Sequence, residues 1–335
     1  MKAVVFDNHG DVSRIYWREW PEPEIKKDEI KVRIQAAAFN GFDPMVLKGI
    51  PTLKTPLPMI PGGDMAGEVV EIGSAVPAGQ WKVGERVMVM PLHIGKGMMG
   101  ETMRGGFCEF VSVQHQYLIR LPDAVSYVDA AALPIAYGTA HRMMITRGKV
   151  RADDRVLILG ATGGVGTCCV QLAKLAGAEV AACTSSSVKA AQLKEIGADH
   201  VINTSEQDFV GETVRLWGKP RVFGESGGAD IVVNFIGGKT WGKSLRAVKR
   251  DGRLLTCGAT DGYDPQTDIR YIWSFELNII GSNGWDMDDL RALLDLVAAG
   301  RLNPVIASVR KMQEAKTSMQ DVIDRKVFGK AILIP

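Results

Sequence analysis

A chain of 335 residues is long enough for two domains and a substantial core. Its net charge of +2, with no dense run of lysine and arginine, argues against nucleic acid as a partner, and no apolar stretch approaches the length of a membrane span. The N-terminus meets a charge too soon for a signal peptide, so a soluble cytoplasmic protein is expected, with Cys108, Cys168, Cys169, Cys183 and Cys257, which show no CxxC spacing, as reduced and mostly buried thiols.

In chain order, residues 1–126 read as short strands at 2–6, 29–37, 66–72, 86–90 and 107–113, punctuated by proline and glycine, which predicts an antiparallel, barrel-like domain. Irregular segments at 39–45, 58–65 and 91–106 are candidate cleft walls. From 127 the pattern alternates. A helix over 127–144, interrupted at Pro134, leads into a strand, a glycine cluster, a helix and a second strand within 155–183. A helix at 187–197, strands at 200–203 and 231–235, a helix at 242–250 and strands at 253–257 and 277–281 follow. This alternation predicts a doubly wound parallel sheet with ligand at the carboxyl ends of its strands. After a helix at 288–299, strands at 305–309 and 330–334 return to the first domain, giving domains of 1–126 with 284–335, and 127–283.

The glycine cluster Ala161-Thr162-Gly163-Gly164-Val165-Gly166 points to a nucleotide. After a buried strand the backbone must turn sharply and let a pyrophosphate approach its N–H groups, which a Cβ would obstruct. Val165, Cys169, Leu172 and Ala176 then mark one helix face, and Gly177 suits the turn after its end. A glycine-rich turn alone would be ordinary in any α/β protein; strand, helix and second strand together are not. The second strand ends in Thr184-Ser185-Ser186-Ser187-Val188-Lys189 rather than in the acid that would hold an adenosine 2′-hydroxyl. Hydroxyls and a lysine suit a 2′-phosphate, so NADP(H) is expected over NAD(H), although the serines also suit a helix cap.

Taken with residues 130–140 and 197–202 and with Pro61-Gly62-Gly63-Asp64, these motifs make the chain resemble the medium-chain dehydrogenase/reductase superfamily almost end to end. The resemblance implies a GroES-like β-barrel catalytic domain, a Rossmann domain, a nicotinamide cofactor in the cleft between them, and a homodimer or homotetramer. The expected cofactor contacts include Thr139, beside the nicotinamide, and Phe235 and Gly258 at strand ends, in addition to the glycine loop, Thr184, Ser185, Ser186 and Lys189. An aromatic ring that the family often carries near Asn203 is replaced by Thr204.

Zinc alcohol dehydrogenases of the family have a cysteine where Asn40 stands and Gly-His-Glu where Gly62-Gly63-Asp64 stands. Catalytic zinc needs three protein ligands, and Asn40 and Gly63 forfeit two. The four cysteines of the family's structural zinc loop have no counterpart in 91–106, so no metal is expected, and the chain resembles the zinc-independent quinone oxidoreductase branch. Without a Lewis acid to stabilise an alkoxide, a conjugated acceptor is the easier substrate, because charge delocalises onto the carbonyl oxygen as hydride arrives. The expected small-molecule substrate is a quinone or an α,β-unsaturated carbonyl. An NADP-dependent alcohol or carbonyl dehydrogenase and a non-catalytic NADPH-binding protein are the alternatives. Asn40 is a candidate donor to the substrate carbonyl, or a turn residue. Asp43, expected ionised, should hold the Asn40 loop. Tyr137 is a pocket wall or a proton donor. His93 is expected at the surface, and Met45, Met65, Met98, Met99 and Met103 suit an adaptable pocket or a core.

Overall fold

A computed structural model of the protein describes residues 1–51 and 53–335. Contacts divide the chain into Met1–Gly138 with Leu290–Pro335, and Thr139–Asp289, whereas the sequence patterns change at 126/127 and 283/284.

In the first unit a sheet runs in the order Ile306–Lys311, Lys330–Ile334, Glu29–Ala38, Asp64–Ile72, Arg86–Val89, Leu118–Arg120, with Phe110–Gln114 also paired to Glu29–Ala38. Every pairing is antiparallel except that of Ile306–Lys311 with Lys330–Ile334. Glu29–Ala38 shows why it sits at the centre. Ile30, Val32 and Ile34 alternate with polar residues and point into the core, while Ala36, Ala37 and Ala38 are all buried. Register shifts opposite Asp64–Ile72 at Lys31/Val32 and Ile34/Ala36 bend the strand, as bulges do. The expected return of the C-terminal strand is present, with Ile332 and Leu333 facing Ala38 and Ala37. The strand expected at 107–113 starts only at Phe110, because Phe107 is a core ring packed edge-on to Phe39 at 4.5 Å.

The second unit is a six-stranded parallel sheet: β1 (Arg155–Ile158), β2 (Glu179–Thr184), β3 (His200–Asn203), β4 (Ala229–Val233), β5 (Val248–Thr256) and β6 (Asn278–Gly281), in the order β3-β2-β1-β4-β5-β6. Its inner apolar strands β1, β2 and β4 are buried on both faces, as a sheet covered by helices requires. Helix α1 (Gly164–Leu175) crosses between β1 and β2, and α2 (Ser187–Glu195) between β2 and β3. Cys169 and Leu172 of the expected α1 stripe are buried, but Val165 and Ala176 are only half-buried, and burial extends to Cys168, Val170 and Ala173. The helix therefore has neighbours on more than one face. Gly177, at φ +86°, makes the turn after it.

The helix expected at 242–250 is α3 (Gly238–Ala247), and β5 begins at Val248. Buried Asn234 explains the shift. Its Oδ1 accepts from the N–H groups of Ile236 and Gly237, and its Nδ2 donates to Ser244 Oγ at 2.8 Å, which starts the helix early. The interrupted helix after 127 consists of Tyr127–Ala132, a wider turn at Leu133–Tyr137, Gly138–His141 and a second wide segment, Arg142–Arg147. Proline has no N–H for the regular ladder, which accounts for the first widening at Pro134. No described helix is long and apolar enough to cross a membrane.

Candidate functional site

The glycines between β1 and α1 play three different parts. Gly160 adopts φ +70°, with the Phe235 ring packed against it, and makes the sharp turn out of β1. Gly163 precedes α1 and is open: a Cβ there would meet nothing within 4 Å, which leaves space for a ligand against the backbone. Gly166 is closed: a Cβ would lie 2.3 Å from Gly160 O, so glycine lets the helix pack on the loop. Ala161 N–H donates to Cys183 O at 3.2 Å and ties the loop to β2, while Thr162, Gly164 and Val165 are half-buried at the helix start. Free N–H groups at the N-terminus of a twelve-residue helix favour an anion.

At the end of β2, Thr184 Oγ1 accepts from Ser186 N–H at 3.1 Å, and Ser186 Oγ caps α2 by accepting from Lys189 N–H. Capping and ligand contact are compatible here. Ser185 is exposed, and Lys189 is half-buried, its ammonium held below the usual lysine range by burial. Thr204 donates from both N–H and Oγ1 to Thr184 O, so it fastens β2. The residues present fit a dinucleotide phosphate group along α1 and a 2′-phosphate beside α2.

A cavity of about 800 Å³ lies at the carboxyl ends of β5 and β6, within the second unit. Gly258, an expected cofactor contact, lines it, and so do Gly237, Cys257, Ser282 and Asn283, which the sequence did not single out. Their common signal is position just beyond apolar strands or at a helix start. Ser282 Oγ is buried with no hydrogen-bond partner among the described residues. Thr139 is half-buried in Gly138–His141.

In the first unit the three expected catalytic residues meet a different environment. Asn40 is 6% exposed and both ends of its amide are committed: Nδ2 donates to Asp64 Oδ2 at 2.9 Å, and Oδ1 accepts from Lys330 Nζ at 2.7 Å. One of its two amide N–H donors and its carbonyl oxygen are therefore engaged inside the protein. Asp64, fully buried, also accepts from Lys330 Nζ at 2.7 Å and from Ile135 N–H at 2.8 Å. Burial pushes its carboxyl up, against the Lys330 ammonium and these donors. Asp43 accepts from Asn40 N–H at 2.6 Å and so holds the loop, as expected. Burial, aided by the nearby Asp64 charge, pushes it up to about 7, so the expectation of a simple ionised carboxylate is corrected. Tyr137 is fully buried, and its hydroxyl accepts from Val305 N–H at 2.8 Å, so it packs in the first unit and fastens the chain at Val305.

Zinc does not fit this donor set. A Cβ at Gly63, where the zinc enzymes carry histidine, would lie 2.4 Å from Ile135 Cδ1 and 2.9 Å from Met99 O. Among the described residues no group of three His, Cys, Asp or Glu side chains could hold an ion. His93, expected at the surface, is 3% exposed: its ring stacks on Tyr117 at 3.8 Å and Nε2 bonds Met90 O. Met65 and Met99 are core residues, Met98 and Met103 are half-buried, and Met45 is exposed, so they do not form one pocket. All five cysteines are free; burial pushes Cys108, Cys183 and Cys257 up to about 12 and raises Cys168 and Cys169 as well.

Comparison with known proteins agrees with this architecture. Residues 26–123 match the alcohol dehydrogenase GroES-like domain and 164–299 the family described as zinc-binding dehydrogenase. The chain is 30% identical to the crotonyl-CoA reductase of Streptomyces avermitilis, over 92% of this chain and 79% of that one. It is 30% identical to the chloroplastic NADPH-dependent alkenal/one oxidoreductase of Arabidopsis thaliana, over 91% and 72%. A crystal structure described as an NAD-dependent alcohol dehydrogenase superposes with a TM-score of 0.91 at 31% identity, covering 100% of both chains. The chain belongs to the medium-chain dehydrogenase/reductase superfamily, as an oxidoreductase with a GroES-like unit and a Rossmann-type unit that binds NAD(P).

Proposed function

We propose that the protein is an NADPH-dependent, zinc-independent reductase of a quinone or of a C=C bond conjugated to a carbonyl. The observation that carries this reading is the buried cluster Asn40, Asp64 and Lys330, with no room beside Gly63 for a metal-binding side chain. Where the family's zinc enzymes place a Lewis acid, this chain spends its polar groups on one another. An acceptor that delocalises its own charge needs the least help.

Gly163, Gly164 and the start of α1 hold the pyrophosphate in this reading; Ser185, Ser186 and Lys189 hold the 2′-phosphate; Gly258 admits the nicotinamide to the cavity beyond β5. Bound NADPH supplies a hydride that, with one proton, saturates the conjugated C=C bond or reduces a quinone to its quinol, leaving NADP⁺. The acceptor enters the same cavity, where Ser282 Oγ is a buried hydroxyl without a partner among the described residues. It donates a hydrogen bond to the oxygen on which charge develops.

The names of the crotonyl-CoA reductase and the NADPH-dependent alkenal/one oxidoreductase support the C=C branch. The alcohol dehydrogenase described for the 31% identical structure favours carbonyl–alcohol exchange with NAD instead. Following NADPH absorbance across quinones, alkenals, enoyl thioesters and simple ketones separates the readings. Turnover of ketones alone, or none at all, contradicts the proposal.

A further inference from the structure

The cavity beyond β5 and β6 has a wall on which one positive charge serves nothing inside the protein. Arg147 lines it, with Nε donating to Gly281 O at 2.7 Å, and among the described residues no carboxylate pairs with its guanidinium. Arg142, on the same wall, is neutralised by Asp286 and Asp289 at 3.0 and 3.4 Å. The residue after Gly281 is Ser282, whose Oγ is buried without a partner among the described residues and which lines the same cavity. A cation and a hydroxyl are thus held at neighbouring residues of one strand end.

Both are fastened from outside the cavity. Ser282 N–H donates to Thr256 O at 2.8 Å, which ties it to the end of β5. Thr146 Oγ1 donates to buried Asp289 at 2.7 Å, and Arg253 donates to Gly148 O at 2.6 Å, so the chain is anchored on either side of Arg147. Donors fixed in advance stabilise charge that develops during a reaction, because nothing has to reorient when it appears.

The cofactor's phosphates do not account for this cation. β2, which ends at the residues suited to the 2′-phosphate, stands four strands from β6, about 19 Å at the usual spacing of ~4.8 Å. β1, which leads into the glycine loop, stands three strands away, about 14 Å.

We infer that Arg147 is a catalytic residue that, together with Ser282, binds the acceptor's carbonyl oxygen and stabilises the negative charge this oxygen gains. The inference rests on the reading above, in which that oxygen lies at Ser282. As hydride bonds to the β-carbon, the electron pair of the C=C bond shifts to join the α-carbon to the carbonyl carbon, and the carbonyl π pair moves onto oxygen. The enolate oxygen is held by Ser282 O–H and an Arg147 N–H. A proton from water then bonds to the α-carbon and the carbonyl re-forms. The guanidinium keeps its proton throughout.

The test uses Arg147→Gln, which keeps an N–H donor and removes the charge. With an enone as acceptor, kcat falls about tenfold while KM stays within about twofold, because the interaction strengthens only in the transition state. A readout without turnover is the ionisation of para-nitrophenol added to the NADP⁺-loaded protein, since its phenolate gathers charge on one oxygen as the enolate does. At mildly acid pH the native protein raises the phenolate absorbance above that in buffer, and Arg147→Gln loses the rise. No rise with the native protein overturns the inference, and so does an equal rise with Arg147→Gln. A loss of NADPH affinity matching the loss in kcat also overturns it, because the charge would then serve the cofactor. Enone reduction by Arg147→Gln at the native rate overturns this inference and leaves the functional reading standing, whereas inactivity of the native protein on every acceptor overturns that reading.

Discussion

Lys330 and Asp64 form an ion pair of 2.7 Å whose side chains are 2% and 0% exposed. The pair joins the last strand of the chain to a strand that begins more than two hundred residues earlier, and Asn40 bonds both partners. Removing one member of such a pair leaves a buried charge unpaired. Lys330→Met should cost about 3–5 kcal/mol of stability in urea unfolding, and adding Asp64→Asn should recover part of that loss. A cost below about 1 kcal/mol would mean that the pair does not hold the strands together.

Asp43 sets a pH dependence. Its carboxyl titrates near 7 in the fold, raised from an ordinary value of 3.8, so the folded state binds this proton more tightly than the unfolded chain. The corresponding stabilisation is complete below the unfolded value and is lost as pH rises through about 7. Unfolding free energies at pH 5.5 and 8.5 should fall more for the native protein than for Asp43→Asn. Parallel pH dependence in the two would contradict the assignment.

The glycine loop predicts two opposite outcomes for the same substitution. Gly166→Ala brings a Cβ against Gly160 O and should lower stability by about 1–3 kcal/mol. Gly163→Ala meets nothing within 4 Å, so thermal unfolding should stay near that of the native protein while NADPH affinity, read by fluorescence titration, falls. If Gly163→Ala bound NADPH normally, the open space there would not be the phosphate's.

Lys189→Glu tests the cofactor preference. Lys189 N–H is held by Ser186 Oγ at the start of α2, next to the expected 2′-phosphate. Replacing the cation by an anion should reduce the preference for NADPH over NADH by at least about tenfold in the ratio of kcat/KM values. An unchanged ratio would remove the phosphate from this position.

Most of the second unit was legible because its signals are local. β3 lies at 200–203 as its apolar pattern predicted, and the strand, glycine loop and helix from Arg155 to Leu175 follow from short-range chemistry. The helix Phe209–Trp217 escaped because Val210, Gly211, Thr213 and Val214 are weak helix formers; Asp208 caps it, and Phe209 and Trp217 pack into the core. The buried polar cluster escaped for the opposite reason. Lys330 opens an apolar strand, and only the pairing of Leu333 with Ala37 and Ile332 with Ala38 carries it to Asn40 and Asp64. No local pattern encodes a contact across that separation. The same long-range pairing engages the amide of Asn40, and the packing of Tyr137 against Val305 engages its hydroxyl oxygen.

Transfer of deuterium from C4-labelled NADPH to crotonyl-CoA or an alkenone, in enzyme treated with a chelator, tests the central claim most directly. Hydride addition to a conjugated bond without metal predicts a saturated product labelled at the β-carbon, formed at the same rate before and after chelation. Label on the hydroxyl-bearing carbon of an allylic alcohol, or activity that disappears with the chelator and returns with zinc, would contradict it.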